Sequence, residues 1–196
     1  MKVVAINGSA RKEGNTSILL NVVLDELKRE GIETELISLA GKPIQGCIAC
    51  YQCAKNKNRK CAVEKDILND CLAKMVEADG IILGSPTYFS DISAGTRALI
   101  ERSGTVARVN DCMFKRKVGA GVVAVRRAGA IPGFSSINLF LLYSQMINAG
   151  SSYWNIGIGR EIGDVEKDEE GIQTMKTLGQ NMAWLLKKLK NQAVST

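Results

Sequence analysis

Residues 2–20 read KVVAINGSARKEGNTSILL, and the order of features in this stretch decides the fold. Lys2–Asn7 is a short apolar run that halts at Gly8-Ser9, the pattern of a strand buried on both faces. A polar loop then leads into Ser17–Glu30, where Ile18, Leu19, Val22, Val23 and Leu27 fall on one helical face. Asn15 or Thr16 is placed to cap that helix and Gly31 to stop it. Strand, polar loop and helix in this order open an α/β unit.

Working outward, Glu33–Leu39 is polar enough for an edge strand, and a long loop with most of the cysteines follows. Asp66 can cap a helix whose apolar positions Ile67, Leu68, Cys71, Leu72, Met75 and Val76 recur at helical spacing. Gly80–Gly84 is a second buried strand. The alternation continues with a helix around Ala94–Ser103, a strand Val118–Val125, a helix Phe134–Ala149, a strand Tyr153–Ile158 and a long helix from about Asp168 to Lys190. Five strands each followed by a helix predict a doubly wound parallel sheet with right-handed crossovers and helices on both faces. With the edge-like strand in second place, the flavodoxin-like order 2-1-3-4-5 is the natural assignment. The expected organisation is one domain over residues 1–196, with a cysteine-bearing loop insertion at about 40–63.

Composition narrows the chemistry. The 196 residues include six cysteines and no histidine. That removes Ser-His-Asp and Cys-His nucleophile systems and His-ligated zinc or haem, and leaves a cofactor, thiols, carboxylates and amines. The first twenty residues hold too short an apolar run for a secretory signal, and no stretch is long enough to span a bilayer. The expected location is cytoplasmic, where thiols stay reduced and clustered cysteines point to metal or redox work. The net charge of +6 is mild and the longest basic block is Lys55–Lys60, so neither nucleic acid nor membrane is expected as a partner.

Ligands of such sheets sit at the carboxyl ends of the strands. The loop after strand one, Gly8 to Ser17, offers Ser9, Arg11, Asn15, Thr16 and Ser17 together with helix-terminal N–H groups for a terminal phosphate. It is neither G-x-G-x-x-G nor a P-loop, and no acidic residue ends strand two to hold a ribose, so a phosphate monoester such as that of FMN fits better than a dinucleotide. The alternative is a plain polar turn. This loop resembles the G-S-x-R-x-x-S/G-N-T segment of the NADPH-dependent FMN reductase branch of the flavodoxin-like proteins. The loop Gly84–Ser90 is similar to that family's S-P-x-Y segment, which lies against the isoalloxazine ring. Pro86 would fix the turn, Thr87 would hydrogen-bond the ring edge, and Tyr88 or Phe89 would cover its face.

The third loop departs from that pattern. Relatives often carry a GG pair after strand four, where this chain has Arg126, Arg127, Ala128 and Gly129. An arginine near flavin N1 and C2=O would favour the reduced, anionic flavin and raise its potential. Two other readings stand beside this: a contact to the 2′-phosphate of NADPH, and a pair of solvated surface arginines.

Cys47, Cys50, Cys53 and Cys61 give C-x2-C-x2-C-x7-C. Successive C-x2-C steps turn sulfurs into one concavity and suit a cubane 4Fe–4S cluster, whereas zinc favours two separated knuckles. The spacing resembles the compact motif of the iron–sulfur flavoproteins. A redox dithiol and inert loop thiols are the alternatives. Cys71 reads as core and Cys112 as a bystander. Tyr153-Trp154-Asn155 is open between an interface, the flavin pocket and, for Trp154, the core.

The resemblance covers about residues 1–190 and implies an FMN-dependent oxidoreductase of homodimeric or homotetrameric habit. NAD(P)H would be its co-substrate, and a quinone, flavin, metal ion or dioxygen its acceptor. The alternative is a non-enzymatic protein that relays electrons from a ferredoxin-like donor through a cluster and FMN. Flavin chemistry proceeds at N5 without a protein base, which accommodates a chain lacking histidine.

Overall fold

The computed structural model describes residues 1–193. In chain order its elements are β1 (Lys2–Asn7), α1 (Asn15–Arg29), β2 (Glu33–Ser38), α2 (Gln52–Asn56), α3 (Leu68–Glu77), β3 (Gly80–Pro86) and α4 (Ala94–Val109). Then come β4 (Val118–Val125), α5 (Ala130–Tyr143), β5 (Ile147–Asn148), β6 (Ile156–Ile158), a 3₁₀ turn (Asp164–Lys167) and α6 (Glu169–Ala193). The sheet runs β2-β1-β3-β4-β5, all parallel, and β6 also pairs with β4. The expected strand order is therefore present.

Alternation along the strands sorts the core into two layers. Val3, Ala5, Ile82, Ala120 and Val122 face α1 and α6, packing on Leu19, Leu20, Val23, Met175, Leu178 and Met182. Val4, Ile6, Ile81, Leu83 and Val123 face the other way, onto Cys71, Leu72, Met75, Leu99, Ile137 and Leu141. Strands buried on both faces must be apolar at every position, which is why β1, β3 and β4 lack a polar alternation. Among the described residues, no helix is long and apolar enough to cross a membrane.

Two expectations need correction. The helix expected over Phe134–Ala149 begins at Ala130 and ends at Tyr143, because Pro132 is tolerated in a first turn and the chain reverses at Gln145, whose φ is 58°. The single fifth strand expected at Tyr153–Ile158 is two short pieces on the same edge of β4. Ala149 N–H reaches the Gly119 carbonyl (2.9 Å) and Val123 N–H the Asn155 carbonyl (2.9 Å). Between them the chain swings out, and the Asn155 side-chain amide donates to the Gly121 carbonyl (3.0 Å) in place of a backbone donor. A side chain thus bridges the gap in the ladder.

Candidate functional site

The carboxyl ends of β1, β3, β4 and β6 converge on a hollow of about 190 Å³. Its first wall is the loop 8–17, shaped from within by buried Asn7. The Asn7 carboxamide accepts from Ser9 N–H (3.0 Å) and donates to the Lys12 carbonyl (3.3 Å), and the Ser9 hydroxyl accepts from Arg11 N–H (3.1 Å). The loop ends at Gly14, the N-cap of α1, where Ser17 Oγ both accepts from and donates to the Gly14 backbone. The first-turn N–H groups of α1 have no intrahelical acceptor and face the mouth of the loop, an arrangement that binds phosphate.

The second wall is 86–91. Tyr88 and Asp91 pair through their backbones (2.9 and 3.0 Å), forcing Phe89 and Ser90 to φ of 49° and 60°. Side chains that are not glycine resist this geometry, and it is held by Asp91. The Asp91 carboxylate accepts from Ile92 N–H (2.7 Å), Ser136 Oγ (2.9 Å) and Arg97 (2.6 Å). These contacts, led by the backbone N–H of Ile92, hold its carboxyl below the usual range although partial burial opposes them. Thr87 Oγ1 is buried with no partner inside the protein. Thr87 belongs to the lining of the hollow, so its unsatisfied hydroxyl lies beside the place where the flavin ring edge was expected.

Of the residues predicted to hold a cofactor, Ser9, Arg11, Asn15, Thr16, Pro86, Thr87, Tyr88 and Arg126 line this hollow. Ser17 is engaged instead in capping α1. Phe89 projects fully into solvent, and Arg127, Ala128 and Gly129 lie beyond the lining, with Gly129 capping α5. Asn15, expected to cap α1, sits inside its first turn and ties it to the 161–163 loop, donating to the Glu161 carbonyl (2.8 Å) and accepting from Gly163 N–H (2.9 Å). Gly159 and Arg160, after β6, join the lining and were missed. They stand at the end of a strand carboxyl terminus, the signal that would have found them.

The cysteines enclose a second hollow of about 150 Å³, lined by Cys47, Cys50, Cys53 and Cys61 with Arg102, Thr105 and Val106. Ala49 and Tyr51 take φ of 51° and 55°, so the chain turns left-handed between successive cysteines and wraps the hollow. The flanking helices fix the wrap. Glu101 accepts from Cys47 N–H (3.3 Å), Asn110 donates to the Cys53 carbonyl (3.4 Å), and Asn69 both accepts from Cys61 N–H and donates to its carbonyl (2.9 Å each). Burial pushes the Cys53 thiol up, and Cys61 and Cys50 push it the same way, against the helix N–H of Ala54. All six cysteines are unpaired. Among the described residues, no three His, Cys, Asp or Glu side chains converge as they would on one metal ion; the sulfurs surround a space instead. Four thiols around a hollow, clamped by their backbones, form a donor set that fits a cubane cluster.

The two strays behave differently. Cys71 is fully buried on α3, where burial drives its thiol up to about 11. Cys112 has a contact the sequence did not reveal, accepting from Gln145 Nε2 (3.4 Å). Trp154 is not core: it is about half exposed and packs on Phe134 at 5.9 Å between ring centres.

Residues 1–161 match the family described as NADPH-dependent FMN reductase. The chain belongs to this family. Within it, the chain is 40% identical over 197 residues to an iron–sulfur flavoprotein of Methanocaldococcus jannaschii, covering 97% of this chain and 100% of the relative. An iron–sulfur flavoprotein of Archaeoglobus fulgidus is 34% identical over 203 residues, covering 97% and 98%. Among solved structures, RosB with bound 8-demethyl-8-formylriboflavin-5′-phosphate superposes with a TM-score of 0.75 at 17% identity, over 97% of this chain and 81% of that one. A flavodoxin from the domain Archaea gives 0.63 at 16% identity, over 95% and 99%, and both likenesses show the fold. A family member with this site is a flavin-dependent oxidoreductase.

Proposed function

We propose that the chain, as one FMN-binding unit with the cysteine loop inserted at about 40–63, is an FMN-dependent oxidoreductase carrying a 4Fe–4S cluster on Cys47, Cys50, Cys53 and Cys61. The observation that carries this reading is the pairing of an orphan Thr87 hydroxyl in one hollow with four backbone-clamped thiols around another. When bound, FMN supplies hydride acceptance at N5 and one-electron release. The first-turn amides of α1, with Arg11, take the phosphate. Pro86 and the strained 88–91 turn support the ring, and the Thr87 hydroxyl meets its polar edge. Arg126 and Arg160 place positive charge over the remaining opening.

Two electron donors have separate support. NAD(P)H is supported by the family's description, which names NADPH. A ferredoxin-like protein, the relay alternative, is favoured by the exposed Lys55, Lys57, Arg59 and Lys60, which form a basic rim on the cysteine loop. Electrons would leave to a small redox acceptor. The exposed apolar side chains Ile131, Leu139, Leu142 and Tyr153 support a homodimer or homotetramer, and the unpaired thiols support a cytoplasmic location.

Anaerobic protein mixed in turn with NADPH, NADH and reduced ferredoxin, with the flavin band followed, separates the donors. Bleaching by a nucleotide supports the reductase reading, whereas bleaching by ferredoxin alone overturns it in favour of the relay. Iron and acid-labile sulfide assays should return about four of each per chain; their absence overturns the cluster.

A further inference from the structure

Arg102 is 1% exposed, the largest fully buried side chain among the described residues, on the middle of α4 beside the cysteine hollow. A guanidinium has five N–H donors and cannot discard its charge, so burial demands an acceptor for every one. Here each is met. Nη1 donates to the Gln45 carbonyl (3.2 Å) and to the Asp66 carboxylate, and Nη2 to the Val63 carbonyl (2.8 Å). The remaining two, on Nε and Nη2, converge on one atom, Cys61 Sγ, at 3.4 Å each. A neutral thiol is a weak acceptor. Two donors of one rigid fork aimed at a single sulfur suit a sulfur that carries charge, as a ligated thiolate does. Asp66 balances the cation, so what reaches the sulfur is directed hydrogen bonding on a pair close to neutral overall.

We infer that Arg102 is a positioning residue of the cluster: it holds Cys61 as the fourth ligand and, through two N–H···S bonds, raises the cluster's reduction potential. This rests on the cluster reading above. Hydrogen bonds to ligand sulfurs offset the negative charge that accumulates on reduction, and groups outside the ligand shell set both affinity and potential. Lysine cannot replace this arginine, because an ammonium has no planar fork and a shorter reach to Cys61, Val63 and Gln45 together.

The experiment compares wild type, Arg102→Lys and Arg102→Gln after anaerobic reconstitution with ferrous iron and sulfide. Iron per chain is measured, with cluster and flavin midpoint potentials from redox titration monitored by electron paramagnetic resonance and visible absorption. The expected result is a lower cluster potential in both variants, a reduced iron content, and an unchanged flavin potential. The failure of lysine to restore the potential separates the fork from mere charge. Where a variant fails to fold or to load, wild-type protein with ¹⁵N-guanidino arginine decides: the reduced cluster should show ¹⁵N hyperfine coupling. Loaded variants with the wild-type cluster potential, or absence of that coupling, overturn the inference. A wild type that takes up no iron overturns the cluster reading itself.

Discussion

The Gly8 N–H donates to the Gly84 carbonyl over 2.8 Å, stitching the ends of β1 and β3 together just before the loops that line the hollow, and neither residue has room for a side chain. A Cβ on Gly8 would overlap Thr96 Oγ1, and one on Gly84 would stand 2.6 Å from Leu20 Cδ1. The Ser93 hydroxyl, at the start of α4, closes the same corner by donating to the Gly8 carbonyl (2.7 Å). Gly84→Ala should cost about 1–3 kcal/mol in denaturant unfolding, as overpacking does, because Leu20 can shift. Gly8→Ala should cost more and also weaken FMN, because the Gly84 carbonyl, 3.0 Å from the new Cβ, is backbone and cannot yield.

Thr87 separates binding from folding. Its hydroxyl is buried without a partner, so Thr87→Val removes a desolvated polar atom and should leave the flavin-free protein as stable as wild type or more so. The same change removes the expected hydrogen bond to the ring, worth about 0.5–1.5 kcal/mol, and should weaken FMN roughly 2- to 12-fold in a fluorescence titration. Loss of stability together with unchanged FMN affinity would reject the assignment of Thr87 to the cofactor.

The two arginines after β4 should part company. Arg126 lines the hollow and Arg127 does not. A charge-assisted hydrogen bond of about 1.5–3 kcal/mol corresponds to roughly 30–65 mV for a two-electron couple. Arg126→Ala should lower the FMN midpoint by that order in a potentiometric titration, and Arg127→Ala should leave it in place.

These contrasts mark how far the sequence could be read. The parallel order followed from apolar runs alternating with helical stripes, because strands buried on both faces carry that signal locally. Ser9, Arg11, Thr87 and Tyr88 could be placed beside the hollow because they sit in loops at strand ends, and Thr16 because it lies in the first turn of the helix that follows β1. Arg160 was not, since the divided fifth strand hides where the edge ends, and the division rests on Asn155 substituting for backbone across the gap. Arg102 was invisible for a different reason. On α4 it reads as an ordinary solvated cation, and its burial depends on Cys61, Val63 and Gln45, residues of a loop with no period to follow. The same holds for Asn69 and Asn110, whose clamps on the cysteine loop are long-range.

Acid should loosen the 88–91 turn. The Asp91 carboxyl lies below its ordinary value of about 3.9, held there by Ile92 N–H with help from Ser136 and Arg97. A depressed carboxylate contributes stability above its unfolded pKa, and that contribution disappears as pH falls through the folded one. Thermal melts of wild type and Asp91→Asn should therefore differ most near pH 6 and draw together below about pH 4. A gap that stays constant across this range would mean that Asp91 acts through shape alone.

The last prediction concerns the uncovered face of α5. Ile131, Leu139 and Leu142 are exposed on this helix, Leu139 and Leu142 by 65% and 60%, and Tyr153 and Trp154 share a hollow with Ile131. Several apolar side chains gathered on one helix face in this way mark an interface. If a second copy covers it, burying the two leucines contributes about 1.5–3 kcal/mol each. Leu139→Glu combined with Leu142→Glu should then raise the dissociation constant at least roughly a hundredfold, seen as a shift to monomer in sedimentation velocity. The circular dichroism should not change, because neither side chain packs in the core. A wild type that is monomeric at micromolar concentration would remove the homo-oligomer from the proposed function and leave this face for another partner.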